Sequence, residues 1–172
     1  MKTSKKMCKG FTLLEMLVVV LIIGILAAIA IPQYQMSVGR TKFTTLKSFT
    51  KTIVESLQRY YMVNNAYPSG YAELDITFDD MTPGFSDSEE FEFSVSGGIS
   101  CTVWFGNNNL INCNRKIFGT TMSYYVWRDT NKPYICRTKS ANTSDMANRL
   151  CQKETGRKTG DCNSYACAYS YQ

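Results

Sequence analysis

The sequence predicts an α+β fold in which one long N-terminal helix, membrane-spanning over its first half, packs on an antiparallel sheet of four to five strands beside a disulfide-bonded C-terminal region. Three observations carry this reading. Residues 11 to 31 form an apolar run broken by a single glutamate, and apolar residues then recur every three or four positions to about Val63. Beyond residue 90 the period drops to two. Six of the seven cysteines fall in the second half of the chain.

Taken in order, the first ten residues hold four of the nineteen basic side chains, Lys2, Lys5, Lys6 and Lys9, and no acid. The formal charge of +5 therefore comes from this short cluster, because the remaining fifteen basic residues nearly balance fourteen acids. A basic face for nucleic acid is not implied, and no nucleic-acid partner is predicted.

The run FTLLEMLVVVLIIGILAAIAI at 11 to 31 makes a helix of roughly 30 Å at about 1.5 Å per residue, enough to cross the hydrocarbon core once. Positive charge ahead of the span keeps the N-terminus cytoplasmic and sends residues 33 to 172 outward. Glu15 lies inside the run, where a carboxylate at mid-membrane costs about 2.5–3.5 kcal/mol, less near an end. It either snorkels to the interface or meets a cation, and the chain has none downstream until Arg40.

Lys9, Gly10, Phe11, Thr12, Leu13, Leu14 and Glu15, reading KGFTLLE ahead of the apolar run, resemble the class III signal of type IV prepilins and type II secretion pseudopilins. The resemblance implies a pilin-like fold, cleavage after Gly10 by a prepilin peptidase, methylation of the new N-terminal Phe11, and a Glu15 carboxylate that meets a neighbouring subunit's amine. Cleavage would create the cation the span lacks. Gly24 and Pro32 match a glycine and a proline often found in such helices, where the helix loosens on assembly. Each has a plain reading too, since helix breakers are tolerated in membrane helices and Pro32 could mark the end of the span. The implied partners are a prepilin peptidase/methyltransferase, copies of the chain or related pilins in a filament, inner-membrane assembly machinery, and the membrane for the precursor.

Two other readings explain the N-terminus alone. Ala28-Ile29-Ala30 resembles a secretory cleavage site, but the apolar run exceeds the usual signal length and contains a charge. A plain single-pass anchor explains the length without explaining the order of Gly10, Phe11 and Glu15.

After Pro32, Phe43, Leu46, Phe49, Ile53, Leu57 and Tyr60 alternate with lysines and Glu55, so the helix continues amphipathically to Val63. Asn64-Asn65 and Tyr67-Pro68-Ser69-Gly70 stop it. The expected organisation is a leader at 1–10, a transmembrane or filament-core helix at 11–32, an amphipathic half at 33–63 and a globular exported domain at 64–172. Strands are expected around Phe91-Phe93-Val95 and over 99–105, 110–118, 121–128 and 133–137, with hairpin turns at Gly97-Gly98, Gly106 to Asn109 and Asp129 to Lys132. Thr143 or Ser144 caps a short helix running to Gly156.

Without Cys8 of the leader, six cysteines remain, which suits disulfides in an oxidising compartment. Setting Phe105 opposite Asn109 places Cys101 opposite Cys113. Cys136 with Cys151, and Cys162 with Cys167, complete one of the fifteen pairings that six cysteines allow. Zinc is disfavoured, because the chain has neither CxxC nor histidine. The acidic residues Asp79, Asp80, Asp87, Glu89, Glu90 and Glu92 lack EF-hand spacing and read as a solvated loop rather than a calcium site. Tyr60, Tyr61, Tyr124 and Tyr125 read as packing residues rather than carbohydrate or DNA contacts.

No histidine, nucleophile motif or phosphate-cradling loop supports an enzyme, and no metal or cofactor is implied. The sequence is best read as a structural subunit of a type IV pilus-like filament, membrane-anchored as precursor and on the cell surface or in the periplasm when assembled. The alternatives are a type II secretion pseudopilin and an anchored extracytoplasmic binding or adhesion domain.

Overall fold

Helix α1 runs from Leu13 to Asn64. The computed structural model describes residues 10–78, 80–86, 90–105, 110–127 and 132–171. These divide into two compact units, Met1–Ser37 and Val38–Gln172. The first is the apolar half of α1, whose large side chains from Phe11 to Ile31 are exposed. Its most apolar window has a mean hydropathy of 3.0, so this one helix is long and apolar enough to cross a membrane.

The second unit contains the rest of α1 and an eight-stranded antiparallel sheet ordered β1-β2-β3-β4-β5-β6-β8-β7. The strands are β1 Thr82–Ser86, β2 Glu90–Val95, β3 Ile99–Trp104, β4 Leu110–Ile117, β5 Thr120–Trp127, β6 Ile135–Thr138, β7 Asp161–Cys162 and β8 Cys167–Ser170. One face of α1 buries Gly39, Phe43, Leu46, Thr50, Ile53 and Leu57 at helical spacing. These meet the inner face of the sheet, where Phe91, Phe93, Val103, Ile111 and Met122 are fully or almost fully buried. Phe43 packs edge-on against Tyr124 with ring centroids 6.1 Å apart. The result is a helix layer over a sheet, each covering the other's apolar side.

Five strands fall where the period-two pattern puts them, and three do not. β1 is exposed along its whole length and contains Pro83 and Gly84, so it shows no alternation and survives only as an edge strand. β7 is two residues long, and β8 is a four-residue strand whose inward Cys167 and Tyr169 are too few to show a period.

The Gly97-Gly98 turn is a three-residue connection, because Val95 pairs with Ile99. Both glycines take positive φ. A hairpin turn that the pattern did not reveal joins β4 to β5 through Phe118 and Gly119, with φ of 56° and 76°. The Gly106 to Asn109 turn, and Asp129 to Asn131 of the third, lie outside the described residues.

The short helix α2, Met146–Thr155, starts at Asp145 rather than at Thr143 or Ser144. The carbonyl of Asp145 accepts the first helical bond from Arg149 at 2.9 Å, while its carboxylate takes the Ser140 hydroxyl instead of a helix N–H. Gly156 ends the helix with φ of 72°. Asn148 is buried and fully used, with its Oδ1 accepting from Thr138 and its Nδ2 donating to the carbonyls of Ser140 and Asn142. Across from α1, the Glu154 carboxylate receives Arg40 Nε at 2.8 Å and the Lys47 ammonium, with only 6% of its side chain exposed.

Candidate processing and assembly segment

Gly10 and Phe11 lie just ahead of α1, and Thr12 is its N-cap: the Thr12 carbonyl accepts from the Met16 N–H at 3.3 Å. The Glu15 N–H donates to Thr12 Oγ1 at 3.3 Å, while the Thr12 N–H and hydroxyl donate to Glu15 Oε2 at 2.8 and 2.7 Å. This reciprocal arrangement is a capping box, which satisfies two of the backbone donors that a helix start leaves open. The charge inside the span is thus held by its own helix end, where the helix dipole also favours an anion. The capping box is neither of the two fates expected of Glu15, snorkelling or a cation, although Thr-x-x-Glu ahead of an apolar run is its signature.

Around Gly24 there is open space, so no contact among the described residues requires a glycine there. Pro32 lies inside α1, not at its end. A helix with a missing donor at Pro32 and no side chain at Gly24 has two weak points in its apolar half.

The other six cysteines, besides Cys8, lie in the second half of the chain. Cys101 is bonded to Cys113 across β3 and β4, which pair in that register. Cys136 is bonded to Cys151 and fastens α2 to β6, and Cys162–Cys167 closes the β7–β8 hairpin. Of the acidic residues, Asp79, Asp87 and Glu89 lie outside the described residues, and Glu92 accepts from the Thr102 hydroxyl at 3.1 Å. Among the described residues no group of three or more His, Cys, Asp or Glu could hold a metal ion. Of the four tyrosines singled out, Tyr124 is buried, which pushes its phenol up to about 12, Tyr61 stacks on Tyr67 at 4.6 Å, the Tyr60 hydroxyl donates to Glu73 at 2.7 Å and the Tyr125 hydroxyl accepts from Arg137 at 3.3 Å.

Residues 5–31 match the family model described as the prokaryotic N-terminal methylation motif. Over 103 residues the chain is 34% identical to the type IV wide pilus major component of Thermus thermophilus, a match covering 56% of this chain and 79% of that protein. The chain belongs to the type IV pilin family. This pilin also resembles the type II secretion system core protein G of Pseudomonas aeruginosa, 43% identical over 66 residues, 38% of this chain and 46% of that protein. A fimbrial protein of Pseudomonas aeruginosa is 48% identical over 79 residues, 43% of this chain and 51% of that protein. The pilin therefore spans about half the length of these two relatives. No solved structure matches it significantly.

Proposed function

We propose that this pilin is a structural subunit of a type IV pilus-like filament, cut after Gly10 and assembled through the exposed apolar half of α1. The observation that carries the reading is the Gly10-Phe11-Thr12-Leu13-Leu14-Glu15 segment at the head of a helix whose large apolar side chains find no cover among the described residues. Such a surface belongs in lipid or against other apolar helices, and a filament supplies the second. In this proposal residues 1–10 are the leader, 11–32 the membrane and filament-core helix, 33–63 the amphipathic half and 64–172 the exported domain. Cleavage and methylation at Phe11 require a prepilin peptidase/methyltransferase, and extraction from the inner membrane requires assembly machinery. The new amine at Phe11 can compete with Thr12 for the Glu15 carboxylate of a neighbour, exchanging the capping box for an intersubunit ion pair. The role is structural rather than enzymatic.

Similarity to the secretion core protein G favours one second reading, a pseudopilin in a periplasmic filament. Intact mass and N-terminal sequencing test the shared step, with methylated Phe11 and six oxidised cysteines expected. A chain beginning after Ala30, or retaining Met1, would rule out both. Recovery of the chain in sheared surface filaments then separates pilus from pseudopilus.

A further inference from the structure

The buried stripe of α1 runs through Phe43, Leu46, Thr50 and Ile53, and one residue after each of these the helix carries Thr44, Lys47, Lys51 and Val54. That flank stands off the sheet. With Tyr124 and Val126 of β5, and Tyr134 ahead of β6, it lines a cavity of about 570 Å³, within the range of small-molecule sites. All of these residues belong to the second unit. One wall is apolar, made by Val54, Val126 and the rings of Tyr124 and Tyr134, whose centroids lie 5.9 Å apart. Tyr134 is 48% exposed, so this wall reaches solvent instead of closing into the core. The other wall is charged. Lys47 donates to Glu154, a carboxylate it shares with Arg40, and Lys51 faces Glu55 at 3.8 Å, outside hydrogen-bond reach. An ammonium group has three donors, so both lysines keep some to offer. Arg40, Lys47 and Lys51 against Glu55 and Glu154 leave one excess positive charge.

We propose that this cavity binds a medium-chain aliphatic carboxylate. The carboxylate lies between the Lys47 and Lys51 ammonium groups, within reach of the Thr44 hydroxyl, and the chain lies against Val54, Val126 and Tyr134. Lys47 and Lys51 are four residues apart on one helix face, and an anion between them relieves their repulsion. A monoanion matches the single excess charge, whereas a dianion such as a phosphate monoester exceeds it. A peptide or nucleic-acid strand would set backbone polar groups against an apolar wall that cannot pair them. A neutral lipid would leave the lysine donors unused, and a short anion would leave the apolar wall wet. The site is complete in one chain, so the inference stands apart from cleavage at Gly10 and from filament formation.

The test titrates the full chain in phosphatidylcholine nanodiscs with octanoate by calorimetry, against empty discs. Acetate and octanol serve as the head and the chain alone. Saturable heat beyond that of empty discs is expected for octanoate, and neither control should match it. The Lys51 side chain is 77% exposed, so Lys51→Met removes a charge-assisted hydrogen bond without disturbing the core, and it should weaken octanoate binding by about tenfold. Val54→Asp should abolish saturation, with the far-ultraviolet circular dichroism unchanged. A photoreactive benzoylphenylalanine in place of Gln58, which also lines the cavity, reports other occupants on irradiation. Crosslinks to a second copy that octanoate leaves unchanged would give the cavity to that copy. Such crosslinks, heat no greater than in empty discs, an equal response to octanol, or unchanged affinity in Lys51→Met would each overturn the proposal.

Discussion

The ring of Phe118 fills the space that a Cβ on Gly39 would need, its Cζ lying 2.0 Å from that position. Phe118 sits at φ of 56° in the β4–β5 turn, a conformation bulky residues rarely adopt. The turn fixes where the ring goes, and the absent side chain of Gly39 receives it. Within the second unit this contact locks the outer turn of the sheet onto α1.

Replacing Gly39 with alanine should therefore destabilise the second unit. Alanine gains about 1 kcal/mol of helix propensity, but overpacking against a ring held by its turn costs up to about 3 kcal/mol, giving a net loss of up to about 2 kcal/mol. Thermal unfolding of the full chain in detergent measures it, and Gly39→Ala with Phe118→Leu should recover much of the loss. An unchanged midpoint in Gly39→Ala would show that the ring is not held.

Asp75 should give the protein an acid-side stability slope. Arg59, donating at 2.6 and 2.9 Å, and the Ser56 hydroxyl together hold its carboxyl down to about 2. A depressed native value means that the unfolded chain binds the proton first, so the stability is present above the ordinary carboxylate range of about 4 and is lost as pH falls towards 2. Urea unfolding between pH 5 and pH 2, read in wild type and Asp75→Asn as about six titration points each, should show a shallower slope in the variant. Parallel slopes would count against the assignment.

The Glu154 carboxylate joins α2 to two cations of α1, and the two are unequal. Lys47 has 26% of its side chain exposed and Arg40 has 69%. Lys47→Met should cost about 1–2 kcal/mol, after discount for its partial exposure, and Arg40→Met less than about 1 kcal/mol. Glu154→Gln should approach the Lys47 value and lose its dependence on salt. Equal effects of the two cation variants would show that burial does not set their worth.

Removing the Cys136–Cys151 bridge with paired serines should loosen α2 selectively. The bond closes a loop with a sequence separation of 15, and chain-entropy estimates for such a loop give about 3 kcal/mol. Hydrogen exchange should accelerate across Met146–Thr155 and leave β3 and β4, bridged by Cys101–Cys113, protected. Uniform acceleration would mean that α2 and the sheet unfold as one unit.

By itself the sequence determined the elements whose physics is local. A run of 21 residues with one charge defines a span, spacing of three and four defines the buried face from Phe43 to Leu57, and period two defines β2 to β6. The register that pairs Cys101 with Cys113 follows from a hairpin alone. Signals equally local were present but unread: Thr12 with Glu15 as a capping box, and Phe118-Gly119 as a two-residue turn. Tertiary structure alone decided the rest, because it depends on groups distant in sequence. β1 and β8 are strands only through their neighbours, Gly39 has a purpose only under Phe118, and Glu154 finds its cations more than a hundred residues away on α1. Which face of β5 the helices cover is likewise set by packing, since Met122, Tyr124 and Val126 line one face and Tyr125 and Trp127 the other, so alternation alone does not choose between them.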